Sequence, residues 1–566
     1  MENYQYSPLV GLSTIRVLDL ERTDDGGMRC KITHGAIGEL GLTALSYAWG
    51  SNEKPFELEV TALGDLADSV EIYPKRFWID QICIDQDDVN ERSSQVAMMG
   101  KIYSQANGVI TYVGPAEPGD DEAIELLLKI HHHFEPFYGT PEVEDRDDTE
   151  PVPHHLRYRV DPSSPAYCRV EDMSRGEWTR RLWMVQENII HELTVMLWGS
   201  RVLPWLALPS YEKLILVNLL PVPVLRPSSD GYLAVQLRST RMARWSEGVD
   251  LRLFHLLSSF QDCFCTYPGD KVFALLGIAD DSDLLGIEVD YSQPAREVLI
   301  QTASRIINKT EKLDILLNAD VPYKVDSGLD LPSWVPGWTG RKTASLLIFE
   351  LGVQASKGSS ICRVPGETDS TETLKLEGIR VGTIKDDLGS FGDCWEFYKE
   401  FCNFQAVMQT VIERLGLMDR EAAEAVLCST IVAQSHWPVA GGQHHTMAAR
   451  ALRAFSLSLS VGWNRAENMV LAQSEEDEHF AAYIHLNAKT RYRSMYFTCT
   501  GRLCLATKDC LPGDIVAVLF GGRALYVLRP AGEDRFAYVG AAFIYGLMHG
   551  EAMDDFQYTR SVFHII

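Results

Sequence analysis

The residues best suited to chemistry fall in three short stretches. Tyr47, Trp49 and Gly50 close the run ALSYAWG. Asp85 and Gln86 close FWIDQICIDQ, with Arg92 a few residues on. Trp183 and Glu187 stand four apart within EWTRRLWMVQENIIH. Residues four apart share one face of a helix, so Trp183 and Glu187 can line one wall of a pocket. Aromatic rings at Tyr47 and Trp49 can stack on a planar ligand, and Gly50 lets that ligand approach the backbone closely. Arg92 can meet a phosphate with two parallel hydrogen bonds. Each residue also has a structural role open to it. Glu187 can pair with Arg180 or Arg181 and simply hold its helix in place. Trp49 and Trp183 can be core residues. Asp80 and Asp85 can serve a turn or a helix cap, and Arg92 a surface ion pair.

The surrounding pattern predicts the elements that position these groups. Residues 13–20, STIRVLDL, alternate apolar and polar as a half-buried strand does, and RCKITH reads as a second strand. LTALSYA (42–48), FWIDQICI (77–84) and GVITYV (108–113) are short apolar runs suited to strands covered on both faces. Between the last two, Asp87 and Asp88 can start a helix. Val96, Met99, Ile102 and Tyr103 then share one face of it. EWTRRLWMVQENIIH reads as one amphipathic helix and ELTVMLWG as the strand after it. Strands alternating with helices predict an α/β fold with a mainly parallel sheet flanked by helices. In such sheets ligands bind at the carboxyl ends of the strands, where Tyr47, Trp49, Gly50, Asp85 and Gln86 fall.

This α/β domain is expected to span residues 1–205. A surface insertion rich in Pro, Asp, Glu and His interrupts it at about 136–167. A mainly helical region is expected over 206–490. From 491 to 566 short strands and Gly, Pro and Asp turns predict a small antiparallel β unit.

Bulk properties narrow the function further. The 566 residues carry a formal net charge of −26, with no dense basic run. Such a chain is repelled by phosphate backbones, which argues against nucleic-acid binding. No apolar run reaches the ~18 residues of a membrane-spanning helix. The 12 cysteines are scattered, with no C-x-x-C pair and no secretory leader, so reduced thiols and a cytoplasmic location are expected. Three adjacent histidines, His131 to His133, cannot share a helical face, and no metal site or cofactor is expected. Nucleotide-binding glycine loops and a serine nucleophile elbow are absent from the sequence.

Several segments, taken in order, resemble fungal heterokaryon-incompatibility (HET) domain proteins. ALSYAWG resembles their strand ending in Ser-Tyr-x-Trp-Gly, and FWIDQICIDQ their strand followed by Cys-Ile-Asn/Asp-Gln. ERSSQVAMMGKIYSQAN resembles the helix that follows, and WTRRLWMVQE their Trp-x-x-Arg-x-Trp-x-x-Gln-Glu segment. Later segments, YPGDKVFALLGIA, VDYSQPAREV, LPSWVPGW and PGDIVAVLFGG, continue the resemblance almost to the end of the chain. Asp85 departs from the frequent Asn, and Trp198-Gly199 from the frequent Cys-Gly.

The resemblance implies a role in self/non-self recognition and programmed cell death. HET domains are in turn similar to Toll/interleukin-receptor (TIR) domains, whose NAD-cleaving members carry a helix with Trp-x-x-x-Glu. That similarity implies NAD+ as a substrate, Glu187 as the catalytic carboxylate, and nicotinamide or adenine stacked on the strand-end aromatics. It equally allows a non-enzymatic module that signals by self-association or by binding an incompatibility partner.

Overall fold

A computed structural model of the chain describes residues 6–11, 13–22, 28–48, 76–137, 158, 160–161, 163–211, 251–319, 328–338, 353–361, 372–391, 413–414, 426, 430, 493–555 and 557–566. By packing, the chain divides into two units. One is Met1–Arg146 with Val152–Val298, the other Asp147–Pro151 with Leu299–Ile566. Much of the region expected to be mainly helical over 206–490, including nearly all of 392–490, lies outside the described residues, as does most of the 136–167 insertion.

The apolar runs of the first unit become a seven-stranded sheet. Its strands are β1 (Thr14–Arg22), β2 (Met28–Ala36), β3 (Thr43–Ser46), β4 (Arg76–Trp78), β5 (Gly108–Gly114), β6 (Thr194–Trp198) and β7 (Arg201–Pro204), in the order β2-β1-β4-β3-β5-β6-β7. The central four, β4-β3-β5-β6, are parallel, with Thr43 opposite both Phe77 and Gly108, and Val109 opposite Thr194. These are LTALSYA, FWIDQICI, GVITYV and ELTVMLWG, and β3 is buried at every residue. The β1–β2 hairpin and β7 add antiparallel edges, giving an α/β unit with a mixed sheet.

Its helices include α1 (Asp80–Cys83), α2 (Val89–Gln105), α3 (Asp120–Phe134), α4 (Pro165–Ser174), α5 (Glu177–Arg180), α6 (Trp183–Ile189), α7 (Leu253–Ser259) and α8 (Asp270–Leu276). Asp88 caps α2, its Oδ1 accepting from Asn90 N at 2.9 Å and Glu91 N at 3.1 Å. Val96, Met99, Ile102 and Tyr103 are buried along that helix, as the 3.6-residue period predicts.

Two elements differ from expectation. FWIDQICI is a strand only to Trp78. At Asp80 the carboxylate accepts from Gln81 N at 2.8 Å and Cys83 N donates to Ile79 O at 2.7 Å, so the chain coils into α1. A local carboxylate competing for backbone N–H groups favours a turn over a strand. The amphipathic run 177–191 is two helices, α5 and α6. Between them Phe264 N donates to Arg180 O at 2.6 Å and Leu182 N to Phe264 O at 2.9 Å, in a parallel β-bridge of Arg181 with Phe264. These outside partners take backbone groups that a continuous helix would use internally.

Helix α2 meets the residue that ends α8 at a pair of glycines. A Cβ on Gly277 would lie 2.5 Å from Gln186 Oε1 and 3.1 Å from Gly100 Cα. Gly277→Ala therefore forces the neighbouring backbone or Gln186 aside. We expect a loss of about 1–3 kcal/mol, the usual cost of overpacking, read as a lower thermal midpoint. An unchanged midpoint would mean that the contact is looser than these distances require.

The second unit holds a sheet of β8 (Leu374–Phe391), β9 (Arg493–Thr498), β10 (Leu503–Thr507), β11 (Ile515–Leu519), β12 (Leu525–Pro530), β13 (Arg535–Ile544) and β14 (Arg560–Ile565). The order β10-β9-β8-β11-β12-β13-β14 closes on itself through β10–β13 and β8–β14 pairings, and all pairs but β13–β14 are antiparallel. The long strand β8 lies far upstream of the run 491–566 in which sequence pattern placed the β unit. It pairs with β9, β11 and β14 at once. A single protease cut anywhere in 392–492 should thus leave both fragments eluting together on native gel filtration. Separation of a folded C-terminal fragment would contradict this pairing.

Candidate functional site

The carboxyl ends of the parallel strands carry a buried polar network centred on Glu187. Ser46 ends β3, and its Oγ accepts from Trp178 Nε1 at 3.0 Å and from Asn188 Nδ2 at 3.3 Å. With both acceptor positions used, the Ser46 hydroxyl proton is directed to Glu187, with which it forms a side-chain hydrogen bond. Asn188 is held in turn by β5 and by the segment after β7. Its Oδ1 accepts from Thr111 Oγ1 at 2.7 Å and Trp205 Nε1 at 2.9 Å. These bonds orient α6 on the sheet and place Glu187 over the end of β3.

Glu187 is 1% exposed, and its Oε2 has no hydrogen-bond partner. Burial is the main reason its pKa rises to about 7, and the neighbouring Asp80 charge adds to the rise. The Arg181 guanidinium and the Ser46 hydrogen bond act the other way. Arg181 also donates to the carbonyl of Tyr47. The Tyr47 hydroxyl donates to Gln81 Oε1 at 3.2 Å and hydrogen-bonds Asp80; burial foremost, with the Asp80 charge, pushes it well above the usual phenol range. A carboxyl group left half-satisfied in a dry site is costly.

Trp183 stands one turn before Glu187 and faces a second carboxylate. Its Nε1 donates to Asp270 Oδ2 at 3.2 Å, and Tyr291 donates to Asp270 Oδ1 at 2.7 Å. Arg92 lies flat over the Tyr291 ring, 4.4 Å from its centroid, and its Nη1 reaches Gln86 O at 3.4 Å. Asp85 closes a turn, its Oδ1 accepting from Asp87 N at 3.2 Å and its N–H donating to Glu91 Oε1 at 2.7 Å. Gln86 Nε2 braces α1 through Asp80 O at 3.2 Å. The structure thus gathers Tyr47, Arg181 and Glu187 around the end of β3. It places Trp183 beside them and sets Asp85, Gln86 and Arg92 in the loop that leads to α2. Trp49 and Gly50 lie outside the described residues. His131 packs inside the unit, its Nδ1 3.2 Å from Ser210 Oγ.

Comparison with known proteins now bears on this site. Residues 43–187 match the family "Heterokaryon incompatibility protein (HET)". Over those residues the chain is similar to the HET domain. Residues 459–566 match the Het-6 β-barrel domain, which takes in strands β9 to β14 of the closed sheet. The chain is 26% identical to heterokaryon incompatibility protein 6, OR allele, of Neurospora crassa, across 98% of this chain and 96% of that protein. No solved structure matches. The matched HET segment starts at the first residue of β3 and ends on Glu187 itself.

Four residues of this candidate site were not singled out by sequence pattern. Ser46 and Asn188 each adjoin a flagged residue, so the signal was the motif around them. Asp270 sits in YPGDKVF, a segment noted only for resemblance, and Tyr291 in VDYSQPAREV. Nothing in either segment indicates that Asp270 reaches Trp183 or that Tyr291 reaches Asp270. Among the described residues no helix is long and apolar enough to cross a membrane.

Proposed function

We propose that this protein acts in heterokaryon incompatibility, and that its HET domain triggers cell death by hydrolysing the bond between nicotinamide and ribose in NAD+. The observation that carries the chemistry is the buried, unpartnered Oε2 of Glu187 at the carboxyl ends of the parallel strands. When the glycosidic bond breaks, its electron pair leaves with nicotinamide, and an oxocarbenium-like cation develops on the ribose. The Glu187 carboxylate stabilises that cation, water adds to the anomeric carbon, and the water's proton passes to solvent. Tyr47 and Trp183 flank the site and can contact the substrate. Since Glu187 is closed off in this conformation, a substrate reaches it only as the surrounding side chains part. No resident cofactor takes part. The TIR-like Trp-x-x-x-Glu spacing supports the same reading, and incubation of the purified chain with NAD+ tests it. Released nicotinamide is expected, and its absence at neutral pH would sink the enzymatic reading.

A second reading has its own observation. Strand β7 lies at an edge of the sheet with Val202 41% exposed, and Leu193, just before β6, is 60% exposed. An open edge with apolar side chains is a surface for self-association. Light scattering on the same preparation separates the readings. Assembly without nicotinamide release would favour a non-enzymatic signalling module.

A further inference from the structure

Glu187 is tied to residues well beyond the matched HET segment. Asp270, the first residue of α8, is 8% exposed and receives two hydrogen bonds, from the Trp183 indole at 3.2 Å and the Tyr291 hydroxyl at 2.7 Å. Trp183 is one turn from Glu187 on α6, a seven-residue helix. Next to it, Leu182 N and Arg180 O are held by the backbone of Phe264. The entry to α6 is therefore clamped twice by the segment 264–291, through its backbone and through its one aromatic side chain. Arg181, at the clamp, acts electrostatically on both carboxylates, Glu187 and Asp270.

We propose that Asp270 is a positioning residue of the Glu187 site: held by the Tyr291 hydroxyl, it holds the Trp183 indole, and through Trp183 it fixes α6 and keeps the Glu187 carboxyl buried. The other groups that bear on Asp270 are Arg92, Tyr267, Tyr291 and Cys265. None of them is removed by neutralising Asp270. The positioning itself does not depend on NAD+ chemistry; only its consequence for rate rests on the proposed function.

Asp270→Asn in the full chain isolates the charge. The amide oxygen can take the Trp183 N–H, and the amide nitrogen can donate to the Tyr291 hydroxyl, so both contacts survive. The readout is an infrared titration of the protonated Glu187 carboxyl stretch, identified by its loss in Glu187→Gln. We expect the Glu187 midpoint to stay in place in Asp270→Asn and to fall by about one pH unit in Asp270→Ala, where a loosened α6 lets water reach the carboxyl. Asp270→Ala should also lose ~10–10² in kcat with little change in KM, and Asp270→Asn should keep most of the wild-type rate. Should Asp270→Ala fail to fold, Trp183→Phe, which drops the indole hydrogen bond alone, replaces it and should lower the midpoint likewise. An unmoved midpoint in folded Asp270→Ala, or an unchanged kcat in an active Asp270→Ala enzyme, overturns the proposal. A wild-type protein that releases no nicotinamide removes the enzymatic reading, while the infrared midpoint still decides this one.

Discussion

Glu187→Gln should abolish most nicotinamide release while leaving the protein as stable as before, or more so. Removing one preorganised electrostatic partner costs ~10²–10³ in rate. The stability expectation follows from the direction of the pKa shift. Glu187 holds its proton up to about pH 7 in the folded state, against an ordinary value of 4.5 when the chain unfolds. Between these values the folded state binds more protons, so stability falls as pH rises through that window and stays low above it. The penalty at pH 8 is on the order of 3 kcal/mol, since each pKa unit is worth about 1.4 kcal/mol. Glutamine carries no such charge. The variant should melt above wild type at pH 8, and the difference should vanish as pH falls towards 5. The contrary structural role, with Glu187 held for its pairing with Arg181, requires the variant to melt lower at every pH above 7. Normal release with a raised midpoint would take Glu187 out of the chemistry and leave only its burial to explain.

Much of this arrangement was legible in the sequence, for reasons visible in particular residues. The run at 43–46 is buried throughout and that at 108–114 over its first four residues, and short, largely apolar runs of this kind have few alternatives to a strand covered on both faces. The period of Val96, Met99, Ile102 and Tyr103 predicts α2 together with its inward face, and Asp88 marks its start. Position at the end of a parallel strand placed Tyr47 at the site, and i,i+4 spacing placed Trp183 and Glu187 on one helical face.

What could not be read depends on partners distant in sequence. The break between α5 and α6 is set by Phe264, 83 residues after Arg181, and nothing local to 177–191 records it. Asp270 meets Trp183 only because α8 packs against α6, and Tyr291 joins them through Asp270. Strand β8 joins a sheet whose other members begin at Arg493. Side-chain function is also hidden by local plausibility. Arg92 looks fit for a phosphate, yet its guanidinium rests on the Tyr291 ring and reaches Gln86 O. Asp85 looks fit for a ligand, yet it closes a turn. Periodicity reports which face of an element is buried, and says nothing of which polar groups on that face will find each other.

The largest stability effect is expected away from Glu187, at Arg16 and Glu91. Arg16 is fully buried on β1, and both its terminal nitrogens meet the Glu91 carboxylate, Nη2 at 2.9 Å from Oε2. The same guanidinium donates to Cys83 O at 3.2 Å and to Ser7 O at 2.7 Å. Glu91 in turn accepts from Asp85 N at 2.7 Å. The pair therefore joins β1, the end of α1, the Asp85 turn and the start of α2, which are the elements that bring the second motif to the strand ends. Removing one member of a buried pair leaves the other charge without compensation, which costs about 3–5 kcal/mol. Glu91→Leu should lose that much in urea unfolding, and it should also loosen the Asp85 turn. Replacing both partners, as Arg16→Met with Glu91→Leu, removes the stranded charge and should recover most of the loss. The sign of the double variant is the decisive measurement. If it is as unstable as the single one, the pair's value lies in its hydrogen bonds to Cys83, Ser7 and Asp85 and not in the cancellation of charge.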